Sequence, residues 1–574
     1  MLIMLSCSKS QNSETSGGLQ SAKGGRYYGG VMRINESEYI KTLFPPSITD
    51  AFSYRVANQI FEGLLKIDQK DLSFKPGLAE TFSVDSGGLK YTFRLRKGVL
   101  FHDADCFANG KGREVKASDV KYCFTYLCKN SANNQGYHIF KDVLKGANKY
   151  FQESIFVDNP DFDIEGIKII DDYTVQLILD RPSSLMMYHL ARPYTYIYPK
   201  EAFDKYGLEM RVKPVGTGPF VLSNIDEGIS VILKKNTNYY GTDSVGNKLP
   251  FLDAINVQFM KDRKTELFEF KKGNLDMLYR LPTENIIEIV EDAMDKTKKG
   301  EYTQYQLQRT PEMTTHFLTF NTQSELFKNK NLRIAFSYAI DRQKILEFVL
   351  QGEGYKAGIN GISPPTFKDY DIAGIKGYDI DIQKAKEYLK KAGYPEGKGL
   401  SKIQLFLNSD AERNTNVALE VQKQLKDNLN VDIELTIVPL AQHVENITNG
   451  KSDFFRIGWI ADFPNPENFL FLFYGKDVPD KRDEKSFPNM SRYKNSTFDD
   501  LYLKGLNAGN TAESFKYFMQ AEQKLMEDAP VIVLWYDEGY RLLQPYVKNF
   551  PNNPMQLRDF SEVYFDKSLS KSVN

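Results

Sequence analysis

A chain of 574 residues exceeds what one hydrophobic core usually supports, so its 41% apolar and 26% charged residues predict two or three globular domains. The 74 Lys and Arg against 75 Asp and Glu leave a formal charge of −1 with no long basic stretch, which argues against a nucleic-acid partner. No apolar run approaches the ~20 residues needed to span a bilayer, and the 13% of aromatic residues serves an aromatic-rich core or ring-lined clefts.

At the start of the chain, Leu5-Ser6-Cys7 closes a short apolar segment and runs into a Ser/Gly/Asn-rich stretch to about Gly25. This resembles a bacterial lipoprotein lipobox with its tether. The resemblance implies that Cys7 takes a diacylglycerol, anchoring the protein at a membrane surface without spanning it. Only six residues precede Cys7 and no basic segment stands there, which points to a start codon placed too far downstream; the alternative is a Cys without a role in a disordered tail.

Val31 to Ile34 predicts a short strand. Asp50 is placed to cap a helix on which Phe52, Val56 and Ile60 recur every fourth residue before Gly63 stops it. Tyr91, Phe93 and Leu95, and later Val175, Leu177 and Leu179, alternate with polar residues as half-buried strands, and Asn109 to Gly112 marks a surface loop. Cys106, Cys123 and Cys128 form no Cys-x-x-Cys pair and read as buried free thiols, a bridge from Cys106 being the alternative in an oxidising compartment.

Ile229 to Leu233 predicts another strand, and Leu332, Ala335, Phe336, Ala339 and Ile340 a helix. The clearest unit is a strand at Ile403 to Leu407, a helix at Val417 to Leu429 and a second strand at Val431 to Val438. That order implies parallel pairing through a right-handed crossover, and an α/β chain in more than one lobe.

Five scattered histidines, with no His-Glu-x-x-His and no His/Cys cluster at ligand spacing, argue against a metal site. There is no Gly-x-Ser-x-Gly elbow, no Walker loop and no dinucleotide fingerprint, so no cofactor and no enzymatic activity are expected.

Several blocks then resemble the peptide/nickel class of extracellular solute-binding proteins of ABC importers, the oligopeptide/dipeptide-binding family. They are Ile60 to Leu65; Gly216-Thr217-Gly218-Pro219-Phe220 followed by Asn236 to Tyr240; Leu332 to Arg342; Tyr378-Asp379 with Ala392 to Pro395; Gly458-Trp459-Ile460-Ala461-Asp462-Phe463-Pro464; and Asp528 to Ile532. They fall in family order from about Val31 to Phe550. The chain departs from the pattern at Leu43-Phe44-Pro45, where the family often has Leu-Asp-Pro, at Thr237 and Tyr240, and in an extra loop from Asp103 to about Glu114.

The resemblance implies a two-lobed α/β periplasmic-binding-protein fold, of the Venus flytrap kind, with an extra domain on the first lobe. Its boundaries, carried over, are 1–25 for signal and tether; 26–61, 200–308 and 539–574 for lobe I; 62–199 for the extra domain; and 309–538 for lobe II. The hinge crossings then fall near Arg309 and Glu538.

It implies that Asp462 accepts the ammonium of a short peptide, the alternative for that residue being a turn cap before Pro464. Arg456 matches an Arg that meets the carboxylate of short peptides, unless it is merely a strand Arg, and Trp459 lines a side-chain pocket or is core. Thr49 and Asp50 fall where the ligand's main chain pairs like an added strand. The implied partners are a short peptide and the permease subunits of an ABC transporter, for a lipid-anchored monomer on the periplasmic or cell-surface side of a bacterial membrane. A sugar, a metal chelate or another small molecule is the alternative cargo, and a periplasmic hydrolase the alternative from another class.

Overall fold

The structure is a computed structural model that describes residues 18–298, 304–408, 412–476 and 478–569. Cys7, the expected lipidation site, lies outside the described residues. Gln20–Ser21 pairs with Tyr27–Tyr28, and Lys23 and Asn247 exchange backbone to side-chain hydrogen bonds. The last part of the expected tether is therefore folded against the loop around Asn247, because its backbone finds partners that composition does not reveal.

Val31–Glu36 runs parallel to Ala254–Phe259, which continues antiparallel through Ser230–Lys235 to Phe220–Asp226, giving a four-stranded sheet. The strand begins one residue later than the expected Ile229, which is 63% exposed in the preceding turn. A second four-stranded sheet is wholly antiparallel and holds Lys90–Leu95 and Thr174–Ile178 at its centre. Tyr91, Phe93, Val175 and Leu177 share one continuous core with Met32, Ile34, Leu233 and Ile255. The extra domain is thus fused to the first lobe rather than hung from it. Cys123 and Cys128 are buried free thiols, and Cys106 is a free, partly buried one.

The motif residues Gly216 and Gly218 follow from this packing. A Cβ on Gly216 would lie 2.1 Å from the carbonyl oxygen of Ile60, and one on Gly218 2.6 Å from that of Gln59. Thr217 Oγ1 donates to Glu62 Oε2 at 2.9 Å. The block lets one backbone lie against the end of the helix Ala51–Ile60.

The second lobe is built on a mixed seven-stranded sheet. Ile403–Asn408 pairs in parallel with Ile433–Val438 across the helix Glu412–Leu429, as the sequence pattern predicts. Two long antiparallel strands, Gln306–Phe320 and Val531–Leu543, run between the lobes. At one end they pair with Met277–Tyr279, which follows the first-lobe sheet in the chain, and at the other with Phe454–Ile460. Val531–Leu543 is buried at every position because both faces are covered. Leu318, Phe320, Ile532 and Leu534 pack into one core, and Phe317, Val531 and Val533 into the core on the opposite face. Among the described residues no helix is long and apolar enough to cross a membrane.

Candidate functional site

Between the lobes lies a cavity of about 290 Å³. Lobe I contributes Thr49, Asp50, Tyr54 and Arg55, and the C-terminal segment Met555, Gln556 and Leu557; lobe II contributes Trp459 to Asp462; the extra domain contributes Arg192, Pro193 and Tyr194. Thr49, Asp50, Trp459 and Asp462 of the sequence-expected residues therefore face one space, although they are far apart in the chain.

Each is positioned by local chemistry. Asp50 caps the helix Ala51–Ile60, its Oδ1 accepting from Ser53 N and its Oδ2 from Ser53 Oγ, both at 2.8 Å. Its side chain is thereby committed to the cap, and its extended backbone borders the cavity. Trp459 Nε1 donates to Asn468 Oδ1 at 3.1 Å, and the ring stands edge-on to Phe471 at 5.4 Å. The same Asn468 Oδ1 accepts from the Asp462 backbone N–H at 2.8 Å, so one amide fixes both cavity-lining residues. The Asp462 side chain is 43% exposed, and its Oδ2 lies 3.2 Å from Arg192 Nη2 of the extra domain.

Arg456 does not line this cavity. It and Trp459 are an odd number of residues apart on one strand, so they point to opposite faces of the sheet. Its guanidinium lies against His316 Nδ1 at 2.5 Å and Asn408 Oδ1 at 3.2 Å. His316 Nε2 donates to Asp537 Oδ2 at 2.9 Å, which fixes the tautomer. Burial, reinforced by Arg456 and Arg413, pushes His316 down to about 3, so the ring is neutral. Asp537 also faces Arg280 at 2.9 Å and Arg413 at 3.3 Å. Burial opposes its charge, but these cations hold it well below the usual carboxylate range. Arg280 pairs in turn with Glu312 at 2.7 Å. The network ties the strand carrying Met277–Tyr279 to both long strands at the crossing, where Arg309 Nη2 meets Glu538 Oε2 at 2.8 Å. It reaches the cavity through Gln556, which bonds Glu312 at 2.7 Å and Arg55 at 2.5 Å; Arg55 also pairs with Glu36 at 2.8 Å.

The cavity is thus lined by charged and aromatic side chains. Asp462 and Arg192 line it as one ion pair and Arg55, paired with Glu36, as another, with Tyr54, Tyr194 and Trp459 also on its walls. No spacing marks Arg55, Arg192 and Gln556, which come from distant parts of the chain and meet only in the fold. Arg192-Pro193 carried a weak signal, since the residue before a proline is held extended, and Arg192 is so, with φ −98° and ψ 161°. Among the described residues no cluster of His, Cys, Asp and Glu could hold a metal ion.

Residues 73–480 match the family model described as bacterial extracellular solute-binding proteins, family 5 Middle. Heme-binding protein A of Haemophilus influenzae is 27% identical over 531 residues, covering 91% of this chain and 90% of that protein. The oligopeptide-binding protein OppA of Bacillus subtilis is 28% identical over 521 residues, covering 88% and 87%. Among solved structures, the periplasmic binding protein DppA from Helicobacter pylori in complex with the peptide STSA superposes with a TM-score of 0.78 at 24% identity, over 95% of this chain and 99% of that one.

Proposed function

The chain belongs to the bacterial extracellular solute-binding proteins of family 5 and has their two-lobed fold, and we propose that it captures short peptides and delivers them to the permease of an ABC importer. The observation that carries this reading is the cavity between the lobes, to which Asp462 presents a carboxylate that is 43% exposed. The ammonium of a short peptide complements that carboxylate, and exclusion of water by closure strengthens the charge-assisted bond. Thr49 and Asp50 would offer backbone to the ligand's main chain, and Trp459 a wall for a side chain. Arg456 would act beneath the site, by holding His316, rather than as a direct ligand.

The relatives of this family are substrate-binding proteins, not enzymes. Lobe boundaries would fall near 61, 199, 308 and 538, with the long strands as hinge, and ligand contacts from both lobes would favour the shut state that the permease reads. An acylated Cys7 would hold a monomer on the outer side of the membrane. A cavity of about 290 Å³ lies just below the ~300–1,000 Å³ usual for small-molecule sites, which is in keeping with a ligand of very few residues.

Mass spectrometry of what is released from the purified protein by gentle denaturation tests the cargo. Short peptides are expected; recovery of saccharides or a metal chelate alone would overturn the assignment.

A further inference from the structure

Asp462 does not face the cavity alone. Arg192, from the extra domain, places Nη2 3.2 Å from Asp462 Oδ2 across the gap between lobes, with a side chain only 10% exposed. Its guanidinium is steadied over the rings of Tyr194 at 5.1 Å and Phe463 at 5.5 Å. Asp462 Oδ2 is also 3.5 Å from Asn468 Nδ2, whereas Oδ1 takes no partner among the described residues. Both side chains line the same cavity.

A carboxylate offers about four lone-pair positions and a guanidinium five donors, so one contact saturates neither. The cavity therefore presents an unused carboxylate oxygen beside a cation with N–H groups to spare. A ligand fills both only if it carries a cation and an acceptor close together. The amino end of an α-peptide does so, because a single carbon separates the ammonium from the first carbonyl.

On the reading of this cleft as a peptide site, we propose that Arg192 is a specificity-determining residue that donates to the ligand's first carbonyl oxygen while Asp462 Oδ1 accepts from its ammonium. Tyr194, on the same segment, steadies the guanidinium before closure, and Asp462 and Phe463 meet it as the cleft shuts, which limits the side-chain freedom lost on binding. An amine whose carbonyl sits one carbon further away would bring its cation to Asp462 but leave the Arg192 donors desolvated and unpaired. Arg192 thereby selects α-aminoacyl ends over other primary amines.

Calorimetric titration of alanyl-alanine and β-alanyl-alanine into the wild-type protein, Arg192→Met and Arg192→Lys tests this, with thermal melts confirming that each variant is folded. The wild type is expected to prefer the α-peptide by about tenfold or more, the scale of one charge-assisted hydrogen bond. In Arg192→Met the preference should shrink to about twofold, with alanyl-alanine still binding measurably; the point charge of Arg192→Lys should keep part of it. If Arg192→Met does not fold, an undiminished preference in Arg192→Lys overturns the proposal, and so does an undiminished preference in a folded Arg192→Met. A wild type that binds both dipeptides equally overturns the role of Arg192 and leaves the peptide reading standing. A wild type that binds neither overturns both.

Discussion

Glu467 shows how a single burial can couple the region of the site to pH. It is 6% exposed, accepts from Tyr502 OH at 2.5 Å, and sits near Arg192 and Asp462. Burial, opposed mainly by the Tyr502 hydrogen bond, pushes its carboxyl up to about 7. The folded protein therefore holds this proton more tightly than the unfolded chain. Its contribution is complete below the ordinary value of 4.5 and is lost as pH rises through about 7. Glu467→Gln, which keeps an acceptor for Tyr502 but cannot ionise, should leave stability unchanged at pH 4.5 and raise it by on the order of 2 kcal/mol at pH 8. Denaturant melts across that range check this; a difference that does not grow with pH would refute it. At this scale legibility is uneven. Asp462 and Trp459, which line the cavity, sit in a recognisable block of sequence. Arg192 does not, because its partner lies in another lobe and no local pattern encodes a contact made across a cleft.

The strands and helices follow more directly from the chain. Asp50 as a cap, the alternation from Tyr91 to Leu95 and the strand-helix-strand unit after Ile403 are local signals, and each forms as its pattern dictates. The two long strands were not legible as elements, since Val531–Leu543 is buried on both faces and has no alternation to read. Their crossing is also where small size matters. A Cβ on Gly539 would lie 2.2 Å from Glu312 Oε1, which belongs to the network that joins Arg280, Asp537 and Gln556. Gly539→Ala should therefore displace Glu312 and destabilise the protein by about 1–3 kcal/mol, the usual effect of overpacking a filled interior. A melt indistinguishable from wild type would show that the network yields without cost.

Taken whole, the molecule is two lobes joined by paired strands, with the extra domain sharing the core of the first and touching the second. Arg181 Nη1 donates to Asn507 Oδ1 at 2.6 Å, Ser184 Oγ to the Leu506 carbonyl at 3.2 Å, and Tyr188 stacks on Phe463 at 5.4 Å. The segment from Arg181 to Tyr194 is thus a third wall of the cleft. The two-lobed architecture was legible because blocks spread over most of the chain share one order; the third wall was not, because it arises from packing between distant segments. What this shape is for reduces to whether Asp462 grips a free amine inside the closed cleft. The direct measurement is calorimetric binding of alanyl-alanine and its Nα-acetyl derivative to the wild type and to Asp462→Asn. The free dipeptide should bind the wild type at least about tenfold more tightly than the acetylated one, and Asp462→Asn should erase most of that difference. Equal binding of the two ligands by the wild type, or a preference that survives in Asp462→Asn, would contradict it.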